Sequence, residues 1–160
     1  TNPAITITKD NNSEVLSTEE VWIQYFRQSG TPQTALAAGI EYNSSRFWWA
    51  GVTGSYYDQI FLDFNPVTRT KDETGYYPYW EQQKQVDPGF LIDIFVGKSW
   101  LVNDIYINVS ANLSNVLNNR SFVTGGFEQY RFDPENPELF QPKIYYSNGF
   151  NYFINFSIRY

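Results

Sequence analysis

Asp58 with Asp63, and Asp87 with Asp93, are the paired acids of this chain. Two carboxylates flanking a glycosidic bond are what acid–base hydrolysis of a sugar requires. That chemistry needs a fixed separation in space, which spacing along the chain does not set, and each acid reads equally well as part of a wet strand face or a loop. The chain has no histidine and no cysteine. This removes the commonest general base, the commonest transition-metal ligand, thiol nucleophiles, disulfides and thiolate metal sites. Asp10 to Glu14, "DNNSE", carries alternating oxygen ligands but lacks the glycine and closing bidentate glutamate of a calcium loop, and reads as an exposed turn. The expectation is a protein that is not an enzyme and that carries no metal or cofactor.

Binding is the chemistry these residue types favour. "TGYYPYWEQQ" gathers Tyr76, Tyr77, Tyr79 and Trp80, which suit stacking on sugar rings or packing on a partner protein. "GGFEQYRFDPENPELFQPK" places Phe127, Tyr130 and Arg131 ahead of a proline-rich run. These seven are the candidate ligand or partner contacts; the plain alternative is that the loops pack on themselves or sit at a membrane interface. A formal charge of −6 without a Lys/Arg run argues against a nucleic-acid surface.

The elements that would carry such loops are strands. Aromatic content is 19 %, yet mean hydropathy is −0.45, as expected where each strand has one greasy and one wet face. No run of about 18 apolar residues exists from which to draw a membrane helix. Residues 34–43 place Leu36, Ala38, Ile40 and Tyr42 opposite Ala35, Ala37, Gly39 and Glu41. Residues 47–64 read as one long strand with Trp48, Ala50, Val52 and Tyr56 on its better apolar face. Residues 90–100 follow, blurred by Leu91 and Phe95, and then a clean alternation of Ile107, Val109, Ala111 and Leu113.

The chain ends on "GFNYFINFSIRY". Phe150, Tyr152, Ile154, Phe156, Ile158 and Tyr160 alternate with Asn151, Asn155, Ser157 and Arg159, and Phe153 is the one exception. Five strands are thus separated alternately by tight turns ("NSSR", "LVND") and by long excursions near residues 65–88 and 119–144. Short turns on one side and long loops on the other describe an outer-membrane β-barrel, in which closure leaves no backbone group unpaired in hydrocarbon.

Several segments of the chain carry a family likeness. "GTPQTA" (30–35) resembles the Gly-x-Pro segment that opens a descending strand in TonB-dependent outer-membrane receptors. "SANLSNVLNN" (110–119) is similar to those receptors' late-strand motif, matched at Asn115, Val116, Leu117 and Asn118, and Tyr160 looks like the terminal aromatic that the barrel-assembly machinery reads. "YDQIFLDFNPVTRT" (57–70) resembles a peptide-plug receptor family.

The resemblance implies an all-β fold: an antiparallel transmembrane segment forming the C-terminal strands of a 22-stranded barrel. Residues 1–33 would be an extracellular loop or partial hairpin, and 34–160 the barrel strands. Trp48, Phe150, Tyr152, Ile154, Phe156 and Ile158 would face lipid, with Asn151, Asn155, Ser157 and Arg159 facing the lumen. The implied function is nutrient uptake (peptide, glycan, siderophore or similar) across the outer membrane of a Gram-negative bacterium. Implied partners are outer-membrane lipid, the rest of the barrel and plug, TonB through an N-terminal part outside this chain, and a surface lipoprotein. With Thr1 first and no methionine, the chain reads as a piece of a larger protein. Two other readings stay open: a soluble carbohydrate-binding β-sandwich using Trp48, Trp49 and Trp80, and a small self-standing barrel of about eight strands.

Overall fold

A computed structural model describes residues 5–11, 14–21, 23, 25–70, 83–131, 133, 135–136 and 139–160. Among the described residues the fold is all-β, every ladder between named strands with a resolved register is antiparallel, and a 3-10 turn spans Pro66–Arg69. The chain divides into two compact units.

One unit comprises residues 32–59, 87–123 and 146–160. It is an open five-stranded sheet built from β3 (Thr34–Asn43), β4 (Trp48–Asp58), β7 (Gly89–Val102), β8 (Ile105–Ser114) and β11 (Asn151–Arg159). Spatial order is β11-β8-β7-β4-β3, so β3 and β11 are its two edges and the sheet does not close on itself. These are the five stretches read from the alternation, with one boundary moved. The expected strand 47–64 stops at Asp58, because Gln59 takes a left-handed backbone (φ 55°) that a β-ladder cannot continue through. Two turns do the tight reversals: Phe47 N–H donates to the Ser44 carbonyl (3.0 Å), and Asn103 and Asp104 both take positive φ (48° and 64°), the twist that suits a two-residue hairpin.

The other unit comprises residues 1–31, 60–86 and 124–145, which by connectivity are the segment before β3 and the β4–β7 and β8–β11 connections. Among the described residues it holds small ladders of β1 (Ile5–Asn11) with β2 (Glu14–Val21), β5 (Ile60–Phe61) with β6 (Gln85–Val86), and all but the outer residue of each strand in the pair β9 (Val123–Phe127) and β10 (Lys143–Tyr146). Its buried apolar residues are Val21, Ile60 and Leu62. The extended run 60–63 is its spine. Phe61 is bridged in parallel by Ser29 and Asp63 by Phe127, while Leu62 N–H donates to the Lys84 carbonyl (2.9 Å). The long excursions therefore carry structure of their own.

Candidate functional site

Register decides what the sheet offers. Ile40 stands opposite Val52, Val52 opposite Ile94, Ile94 opposite Leu113 and Leu113 opposite Tyr152, a single apolar row across all five strands. The next row is Tyr42, Ala50, Val96, Ala111 and Ile154. Directly opposed residues share a face, so five separate alternations sum to one apolar surface. That surface is open: Ile40 is 77 % exposed and Phe156 63 %. An apolar face of this extent on a water-soluble monomer would be a strong association site.

Aromatic residues mark both ends of this surface. Tyr42, Trp48 and Trp100 lie towards the tight-turn end, with the Tyr42 and Trp48 rings 5.0 Å apart. Tyr56 and Phe90 lie towards the other end; aliphatic Ile40, Val52, Ile94 and Leu113 cross the middle, with Tyr152 and Phe156 on the edge strand β11. At about 3.4 Å per residue the run from Trp48 to Tyr56 is ~27 Å long, and a tilt of about 40° turns it into ~21 Å of depth, close to the height of a lipid-facing band. Lys98, in the row of Trp48, Val109 and Phe156, is the one cation on this face of the five strands. Its ammonium leaves the apolar surface for the turn, donating to the Arg46 carbonyl beside the Trp100 ring (5.7 Å).

The opposite face is polar, with Glu41, Thr53, Asn112, Asn155 and Ser157 among its members. Its large rings lie over glycines of neighbouring segments. A Cβ on Gly51 would stand 2.4 Å from the Phe95 ring, one on Gly97 2.1 Å from the Trp49 indole, and one on Gly89 1.8 Å from the Phe122 ring. Phe122 also stacks on Tyr57 (5.6 Å, 13°). This accounts for Phe95, which blurs the alternation in the sequence: it covers backbone that has no side chain of its own. Phe153, the other exception, stays exposed opposite Asn112.

The motif at 110–119 proves to be a polar clasp. Asn115 is buried with φ 51°, a left-handed value that asparagine tolerates. Its amide nitrogen donates to the carbonyls of Asn119 (3.0 Å) and Asn148 (2.8 Å), and its side-chain oxygen accepts from Asn119 N–H (2.9 Å). Its backbone N–H donates to Asp93 (2.9 Å), and the Asn118 side chain accepts from Phe150 N–H (3.0 Å). The ends of β7, β8 and β11 are thereby held together by amides.

Tyr76, Tyr77, Tyr79 and Trp80 lie outside the described residues. Phe127 is half-buried at the end of β9 with its ring 6.1 Å from Tyr145, while Tyr130 and Arg131 are exposed. Trp48, Phe150, Tyr152, Ile154, Phe156 and Ile158 are all exposed, and Tyr160 fully so. Asp58 accepts from the Tyr56 hydroxyl (3.2 Å) and Gln59 N–H (2.6 Å), and Asp93 from Asn115, so both serve structure. Asp63 belongs to the other unit. Among the described residues no three His, Cys, Asp or Glu side chains group as metal ligands, and no helix is long and apolar enough to cross a membrane, which says nothing of strands.

Sequence reasoning missed the centre of the second unit. Arg69, 1 % exposed, forms a bidentate pair with Glu128 (Nη1–Oε2 2.5 Å, Nη2–Oε1 2.9 Å). Gln83 is likewise buried, accepting from Arg27 N–H (2.7 Å) and donating to the carbonyls of Arg27 (2.9 Å) and Leu62 (2.8 Å). A lone Arg and a lone Glu 59 positions apart give no sequence signal of pairing.

A scan against protein-family models and searches of curated proteins and of solved structures find no match to this chain.

Proposed function

We propose that this chain is the C-terminal part of the barrel wall of a TonB-dependent outer-membrane transporter that takes up a nutrient ligand in a Gram-negative bacterium. The observation that carries the reading is the single exposed apolar face, with aromatic residues at both ends of β4 and an aliphatic stretch between them, on an open antiparallel sheet. Lipid is the environment that makes such a face favourable, and aromatic girdles belong at its two interfaces. The polar face, where Asn112, Asn155, Ser157 and Arg159 lie, then lines the lumen. The open edges β3 and β11 pair with strands of a 22-stranded barrel supplied by the rest of the protein, which also brings the plug and the TonB contact. The connections, with Tyr76, Tyr77, Tyr79, Trp80, Phe127, Tyr130 and Arg131, are extracellular and meet the ligand or a surface lipoprotein. Binding and passage are its chemistry, with no bond made or broken.

The chain has no cysteine, so a spin label at an introduced thiol reports one position. Labels are placed in turn at residues 152 to 158 in bilayers. Collision with oxygen should peak at 152, 154, 156 and 158, and collision with a water-soluble nickel chelate at 153, 155 and 157. If the even positions meet neither reagent, a second protein layer covers them and the soluble sandwich replaces the transporter.

A further inference from the structure

Arg69 binds more than its carboxylate. Its guanidinium lies 5.2 Å from the Phe26 ring centroid and 5.7 Å from that of Phe64, and these rings meet edge to face at 4.8 Å. Its Nη1 also donates to the Asn65 carbonyl (3.0 Å), while Asn65 N–H donates to Glu128 (2.9 Å). Beside this cluster, Asp63 N–H donates to the Gly126 carbonyl (2.9 Å) and Glu128 N–H to the Asp63 carbonyl (2.8 Å). Phe26 belongs to the segment before β3, residues 64–69 to the β4–β7 connection and Glu128 to the β8–β11 connection. One buried cation therefore ties three separate stretches of chain.

The two partners are not equivalent. The Arg69 side chain has 0 % exposure and Glu128 16 %. A guanidinium cannot shed its proton inside a protein, so loss of the carboxylate leaves a buried charge less well compensated. Arg69 is the last residue of the 3-10 turn Pro66–Arg69 and lies over the Phe26 and Phe64 rings, away from water. Glu128 is already close to water.

We propose that Arg69–Glu128 is a latch that makes the three connections one cooperative unit, which opens as a whole when the pair is broken while the five-stranded sheet stays folded. The connections then engage or release a ligand all together. The latch does not depend on the membrane reading.

Amide hydrogen exchange on the intact protein tests it. Glu128→Gln keeps the side chain's shape and removes its charge. Amides of residues 61–65 and 126–128 should exchange about tenfold faster or more, to a common extent, with the amides of Val52, Ile94 and Ala111 unchanged. Arg69→Met removes the buried charge itself, and should loosen the same amides less than Glu128→Gln does. Acceleration confined to Asn65 overturns the latch, as does equal acceleration in the sheet, or a larger effect from Arg69→Met.

Discussion

The indole of Trp49 lies over Gly97 on β7, and two residues further along β4 the Phe95 ring returns the arrangement by lying over Gly51. Each strand lends the other a ring where the other has no side chain. Such crossed aromatic–glycine pairs pin register between two strands and let the sheet bend where the glycines are. Gly97→Ala should push the indole off the backbone and cost about 1–3 kcal/mol, read as a lower denaturant midpoint. Combined with Trp49→Ala the loss should be smaller than the sum, because the clash disappears with the ring.

Asn115 joins two needs, a left-handed backbone and three side-chain hydrogen bonds. Asn115→Gly keeps the first and loses the second, at about 1–3 kcal/mol. Asn115→Ala loses both and should cost about 1–2 kcal/mol more, since a Cβ disfavours positive φ. Equal unfolding midpoints for the two variants would remove the backbone part of this account.

Neighbouring residues on β8 probe the two faces. Ala111 lies on the apolar face opposite Val96 and Ile154, and Asn112 on the polar face opposite Phe95 and Phe153. In lipid, Ala111→Arg should destabilise by about 2–4 kcal/mol. Asn112→Arg should stay within about 0.5 kcal/mol. The folded fraction against urea in vesicles measures both.

Gln83→Leu should loosen the connections without touching the sheet. The change leaves the Arg27 N–H and the Leu62 carbonyl without their amide partner, at about 1–3 kcal/mol for the buried Leu62 carbonyl and less for the part-buried Arg27 N–H. Faster exchange at Arg27 and along residues 60–63 is the expected result. Gln83→Glu keeps the acceptor for Arg27 and loses the donor to both carbonyls, so it should fall between wild type and leucine at the Arg27 amide.

The five strands of the sheet were legible because alternation is a local property: successive side chains leave a strand on opposite sides, whatever the strand later pairs with. Ile154 and Asn155 declare their faces from position alone. The end of β4 was not legible, since Asp58 to Phe64 continues in strand-like residues and only the left-handed backbone at Gln59 interrupts them. Phe95 looked like an error in the pattern until the register set it over Gly51.

Local pattern and composition were enough to set an all-β, two-faced chain without histidine or cysteine chemistry. The tertiary structure decided which rows align, which ring covers which glycine, and that Arg69 meets Glu128. These are contacts between positions far apart in the chain, created by pairing register and by desolvation of charge, and neither leaves a trace in the order of neighbouring residues.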